Sequence, residues 1–242
     1  MKLGIFSDVH GNLEALEAVV RVLREKGATQ FVCCGDIVGY GPDPNLCVET
    51  IRRMHCTGVA GNHDYGAVGK APLDGFNSAA TRALLWTRDQ LTESNRLYLE
   101  NLYLIDEEDP LLIVHSSPSA PDAWEYVFTL REAEEEMKYY PGGICVVGHS
   151  HYPFAVEHAP GEPARLVRHD HFEIRPDAKY FINAGSVGQP RDGDRRACCL
   201  LLDAGTQSMT LCRVPYDIEA VQAKIRAAGL PEFLASRLQI GR

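Results

Sequence analysis

Long apolar runs are missing from this 242-residue chain. None approaches the roughly 18 residues that a membrane helix requires, so no membrane association is expected. A signal peptide is missing too. Met1 to Ser7 runs directly into structure, so the chain is expected to stay in the cytoplasm where it is made. Positive charge is in short supply: Lys and Arg number 24 against 33 Asp and Glu, a net charge of −9. Affinity for nucleic acid rests on Lys and Arg neutralising phosphates, so no stable nucleic-acid partner is expected. A small phosphorylated substrate stays open, because bound divalent cations reverse the sign of a pocket locally. CxxC spacings are absent among the eight cysteines, Cys33, Cys34, Cys47, Cys56, Cys145, Cys198, Cys199 and Cys212. Most sit in apolar runs and read as small buried hydrophobes in a reducing compartment, not as a zinc cluster or disulfide framework. Internal repeats and Pro- or Ser-rich linkers are missing as well. One domain over residues 1–242 is therefore the simplest organisation. The sequence carries no mark of the oligomeric state.

What is present begins with a strand–helix alternation. Leu3 to Phe6 reads as a strand ending at Ser7-Asp8. Leu16, Val19, Val20 and Leu23 follow at helical spacing before Gly27. Phe31 to Cys34 is the next strand, closed by Gly35-Asp36. Asp43-Pro44 supplies an N-cap and a first-turn proline for a second helix. Val59-Ala60 ends a third strand before Gly61-Asn62. Such alternation means a parallel sheet with right-handed crossovers, an α/β protein. Residues 65–109 read as a helical excursion. Leu111 to Val114 and Ile144 to Val147 are strands ending at His115 and Gly148-His149, with a Thr129/Glu132 capping box between them. Beyond His151, six closely spaced strand-like segments separated by turns such as Asp203-Ala204-Gly205 suggest antiparallel hairpins. A last helix begins at Asp217.

Ligands of open α/β sheets bind outside the carboxyl ends of the strands. Five successive strands finish there in metal-binding residue types: Asp8-x-His10, Gly35-Asp36, Gly61-Asn62-His63-Asp64, His115 and Gly148-His149-Ser150-His151. Carboxylate, amide oxygen and imidazole together suit borderline divalent ions such as Mn, Fe, Zn or Ni. Each piece alone is weak, whereas their order and common placement make a specific joint signal.

These blocks resemble the calcineurin-like metallophosphoesterase superfamily from Lys2 to about Asp203. The resemblance implies a four-layer α-β-β-α sandwich of two mixed β-sheets flanked by helices. It implies that Asp8, His10, Asp36 and His151 hold one metal, with Asn62, His115, His149 and a bridging Asp36 holding the second. Two such cations, Mn being the first choice for activity, share a water and lower its pKa, so that hydroxide attacks phosphorus. His63 then protonates the leaving oxygen or stabilises the phosphoryl group, and Asp64 is expected to hold its imidazole in position.

Tyr40 stands where protein phosphatases and their diadenosine-tetraphosphatase relatives have a phosphate-gripping arginine. The chain instead resembles the small bacterial and archaeal phosphodiesterase branch, which has a segment like Asn183 to Arg191. Gly185 and Gly188 are expected to allow close backbone approach to the metals, and Arg191 and Tyr40 to face substrate. Ser116 and Ala184 depart from the pattern, where glycine and proline are expected. A phosphodiesterase is the leading expectation. Phosphomonoesterase and dinucleoside-polyphosphate hydrolase are the enzymatic alternatives, and a non-catalytic binding module is the non-enzymatic one. Trp124, Tyr126 and Phe128 could stack on a nucleobase but read more simply as core, and His169-Asp170-His171 as a solvated strand or turn.

Overall fold

The structure, a computed structural model, describes residues 1–242. In chain order it comprises β1 (Lys2–Phe6), α1 (Leu13–Glu25), β2 (Gln30–Cys33), α2 (Pro44–Arg53), β3 (Thr57–Gly58), α3 (Asn62–Val68), α4 (Ser78–Gln90) and α5 (Glu93–Glu100). It continues with β4 (Ile105–Glu108), β5 (Leu111–Val114), α6 (Leu130–Glu136), β6 (Ile144–Val147), β7 (Phe154–His158), β8 (Arg165–Leu166) and β9 (His171–Glu173). It closes with β10 (Lys179–Asn183), β11 (Ala197–Asp203), β12 (Ser208–Val214), α7 (Ile218–Ala227) and α8 (Glu232–Ser236).

The strands form two six-stranded mixed sheets, ordered β3-β2-β1-β11-β12-β9 and β4-β5-β6-β10-β7-β8. Period-two alternation makes them a sandwich. Leu3 and Ile5 of β1 and Val32 of β2 point one way, into a shared core with Ile144 and Val146 of β6 and Ile182 of β10. Phe6, Phe31 and Cys33 point the other way, against Leu16, Val19 and Leu23 of α1 and Ile51 of α2. Cys145 and Val147 turn from the second sheet toward Ala133 of α6 and Met137. Helix, sheet, sheet and helix thus stack as four layers. A further apolar cluster carries Val221 and Ile225 of α7 and Leu234 and Ala235 of α8 against Ala80, Ala83 and Tyr40, bringing the C-terminal helices beside the loop after β2.

The element readings hold with local exceptions. The excursion at 65–109 is helical only to Glu100; Ile105–Glu108 forms an edge strand antiparallel to β5. Its exposed–half-buried alternation, IDEE, carries too little apolar signal to betray a strand. Asp43 sits at the N-cap of α2 but makes no capping bond; its carboxylate pairs with Lys224 of α7 instead, at 2.9 Å. Ala184, where proline was expected, donates its N–H to the Val147 carbonyl, a bond proline cannot make.

Candidate metal centre

The loops after β1, β2, β5 and β6 converge, with the N-terminus of α3, at one edge of the seam between the sheets. Three groups of donor atoms form there, Asp8/His10/His151, His10/Asp36/His63 and Asp36/His115/His149, each with its atoms within 4.8 Å of one another. All are buried. Asp36 Oδ2 lies 3.6 Å from His10 Nε2 and 3.3 Å from His115 Nε2, between the two ends of the cluster. Asp8 Oδ1 lies 3.2 Å from His151 Nε2 and 3.7 Å from His10 Nε2.

The outer nitrogens of the four imidazoles are all spoken for by backbone carbonyls. His10 Nδ1 reaches Val38 O (3.2 Å), His115 Nδ1 reaches Cys34 O (2.7 Å) and His151 Nδ1 reaches Gln189 O (2.6 Å). His149 reverses the pattern, with Nε2 on Trp124 O at 2.8 Å. Each ring therefore spends one nitrogen on a backbone carbonyl and turns the other inward, the arrangement that orients a histidine ligand. Asp8 Oδ1, Asn62 Oδ1 and His115 Nε2 are buried atoms with no hydrogen-bond partner. Orphaned buried acceptors are costly, and divalent cations at the two ends of the cluster would answer them, one at Asp8 and one at Asn62 and His115. The donors present therefore fit the ions the residue types call for.

Electrostatics agree. Burial opposes charge on Asp8 and Asp36, yet His151 and His10 around the first and His115 and His63 around the second hold both carboxyls well below the usual range. Burial brings His149 down to about 4 and His151 down to about 3, keeping both neutral. His115 goes the other way, to about 9, because Asp36 outweighs the burial that would lower it. A proton there competes with metal for the same nitrogen.

Five of these residues, Asp8, His10, Asp36, His149 and His151, have left-handed backbone, with φ from 50° to 66°. Non-glycine residues there are uncommon and strained by roughly 1–3 kcal/mol each, and Asp and His tolerate the region better than most. Sequence inspection had no signal for this. Gly61 has a clear need, since a Cβ would come within 2.0 Å of Asp36 Oδ1.

Of the expected site residues, the structure brings together Asp8, His10, Asp36, Asn62, His63, His115, His149 and His151, with Tyr40 and Arg191 beside them. Tyr40 packs against His10 and His63 at ring separations of 4.6 and 4.4 Å. Arg191 donates from Nη2 to the Tyr40 hydroxyl at 3.2 Å and to Gln189 Oε1 at 3.1 Å. His63 is buried, and its Nδ1 meets no partner in the protein.

Three expectations change. Asp64 does not hold His63. Its Oδ1 accepts from Val38 N and its Oδ2 from Gly61 N, both at 3.0 Å, because successive helix residues face apart and its carboxylate turns back over the start of α3. Burial and the Asp36 charge push its carboxyl up to about 7 against the pull of those amides. Gly188 comes close to the backbone of the Asp8-Val9-His10 loop and not to the side-chain donors: a Cβ there would meet Val9 O at 1.9 Å, and Gly188 N donates to Asp8 O. Tyr126 and Phe128 are not core but 49% and 55% exposed. Tyr126 stacks on His149 at 4.1 Å, and Phe128 on Tyr126 at 5.4 Å.

Above the cluster lies a cleft of about 500 Å³, bordered by Asn62, His63, Trp124, Tyr126, Arg191 and Arg237. Residues 1–207 match the family model of the calcineurin-like phosphoesterase superfamily domain. The chain belongs to that superfamily. It is 41% identical over 245 residues to an uncharacterized protein of Methanocaldococcus jannaschii, covering 99% of this chain and 98% of that one. A metallophosphoesterase from Sphaerobacter thermophilus superposes with a TM-score of 0.86 at 39% identity, covering 100% and 99% of the two chains. A hypothetical protein from Pyrococcus horikoshii shares the fold at 21% identity and a TM-score of 0.79, over 100% and 98%. This calcineurin-like protein is thus a phosphoesterase hydrolase whose clustered Asp and His side chains are of metal-binding type. No helix is long and apolar enough to cross a membrane.

Proposed function

We propose that the protein is a binuclear-metal phosphodiesterase acting on a small phosphorylated substrate. Asp8, His10, Asp36 and His151 would hold one divalent ion, and Asn62, His115, His149 and Asp36 the other, with Mn the first choice. When bound, such ions supply Lewis acidity toward the phosphoryl oxygens and an activated water nucleophile. The observation that carries the two-ion assignment is Asp36 Oδ2, placed between His10 and His115.

The chain's own groups do the rest. Burial lowers the proton affinity of His63 despite the opposing charge of Asp36, so its imidazole is mainly neutral near neutral pH. It lines the cleft and has a free Nδ1. In this reading its ring serves the departing oxygen as a hydrogen-bond donor, and the packing of Tyr40 and Phe76 fixes its orientation. Asp64 is removed from this chemistry and becomes a brace for the loop of Val38 and Gly61.

Preference for a diester first followed from the missing arginine at position 40. The structure moves that argument, because Arg191 lies over the Tyr40 ring at 5.8 Å and returns a guanidinium to the same place. Support now comes from the cleft, which carries an aromatic border at Trp124 and Tyr126 and a cationic one at Arg191 and Arg237. A phosphorus with two substituents can use both borders, and a monoester only one. The test is turnover of a panel of phosphodiesters, monoesters and dinucleoside polyphosphates by metal-stripped protein reloaded with Mn. A panel led by monoesters would overturn the diesterase reading and leave the superfamily assignment standing.

A further inference from the structure

Two guanidinium groups border the cleft without an ion pair to an Asp or Glu side chain, although Asp122 also lines it. Nearby, Arg196 pairs with Asp194, Arg213 with Asp192 and Arg226 with Glu232. Arg191 and Arg237 pair with no Asp or Glu side chain. Arg191 spends Nη2 on Tyr40 and Gln189, while its buried Nε has no partner. Arg237 lies over the Phe233 ring at 4.9 Å and donates Nε to the terminal carboxylate of Arg242, which leaves its Nη groups for a ligand. Both line the cleft that also holds His63, Asn62 and His149.

Arg237 arrives by an independent route. It follows α8 and lies beyond residue 207, where the superfamily match ends. Its place is set by packing: Leu234, Ala235 and Leu238 are buried against Tyr40 and Ala80. Burial first, and the nearby Arg191 charge second, bring its guanidinium down to about 10. Neighbouring guanidiniums repel, and their free N–H groups match the oxygens of a phosphate in fork geometry.

We propose that Arg191 and Arg237 form an anion subsite beside the metal centre, which takes a second phosphate carried on a substituent of the scissile diester. This rests on the phosphodiesterase reading above and narrows it to substrates with two anionic groups. The C-terminal helix then acts as a specificity element, since Arg237 is its contribution to the cleft.

The binding arm of the test uses metal-stripped protein and inorganic pyrophosphate, followed by titration calorimetry. Arg237→Gln should weaken binding by about tenfold or more, the scale of a charged hydrogen bond, and Arg237→Lys should recover part of it. Equal affinity in native protein and Arg237→Gln would overturn the subsite. The kinetic arm compares the p-nitrophenyl ester of thymidine 5′-phosphate with the same ester bearing a 3′-phosphate. Arg237→Gln should raise KM for the 3′-phosphorylated ester alone. Equal losses on both esters would place Arg237 on the scissile phosphate and overturn the proposal. Thermal melting checks that Arg237→Gln is folded; if it is not, Arg191→Gln and Arg237→Lys carry the comparison. Should native protein cleave neither ester, the diesterase reading fails, and the pyrophosphate titration still decides the subsite.

Discussion

His10 Nε2 and His151 Nε2 face each other at 3.0 Å in the buried cluster. Each ring turns its Nδ1 to a backbone carbonyl, so in neutral form both Nε2 atoms present lone pairs to one another. Such a pairing repels until a cation lies between them. Asp36→Ala should lose the proposed two-ion centre, because one carboxylate would serve both ions. Elemental analysis of purified protein should find two divalent transition ions per native chain and fewer in the variant. Full occupancy in Asp36→Ala would remove the bridging role.

His63→Ala should lower turnover by about 10²-fold or more with both ions retained, the scale of a lost acid–base partner. A substrate with a nitrophenolate leaving group should suffer less than one with an alkoxide, since its departing oxygen needs less help. Equal losses across leaving groups would shift His63 from the leaving oxygen to the phosphoryl group.

For the same metal, kcat/KM should be greater for an aryl phosphodiester than for the matching monoester, with little activity on phosphoproteins. Tyr40 sets no charge of its own but positions Arg191, so Tyr40→Phe should cost less than Arg191→Gln. If the two cost the same, the hydroxyl acts on substrate directly.

Cys33 and Cys198 should be chemically quiet. All eight cysteines are free and all but Cys56 are buried. Burial pushes the Cys198 thiol up to about 12 and Cys33 well above its ordinary value, which suppresses the reactive thiolate. Cys33→Ala and Cys198→Ala should leave metal content unchanged and cost on the order of 1 kcal/mol or more in stability. Metal loss in either, read by elemental analysis, would mean the thiols ligate.

The sequence disclosed which Asp and His side chains cluster because each strand end announces itself twice, by an apolar run and by the polar residue that stops it. Asp8, Asp36 and His115 are legible in that way. It did not disclose the task of Asp64, since a carboxylate capping its own helix and one orienting a histidine look alike in one dimension. Tyr126 and Phe128 were misread for a related reason. Alternating aromatics suit a buried strand, but Trp124 has left-handed backbone (φ 56°) that breaks the strand and turns the two rings outward over His149. Arg237 gave no signal at all, because only the packing of Leu234 and Leu238 against Tyr40 brings it to the cleft.

The donors come from both halves of the sandwich. Asp8, His10, Asp36 and Asn62 follow β1, β2 and β3 of one sheet, and His115, His149 and His151 follow β5 and β6 of the other. Neither sheet alone would own a complete ligand set for the proposed ions, so high-affinity metal uptake would require that the two have closed on each other. Whatever binds the closed form and not the open one holds it shut by mass action. In the proposed centre the ions would thus be a latch across the seam as well as a catalyst. Chelation should loosen the joint between the sheets, and the protein's resistance to proteolysis should follow the metal supply.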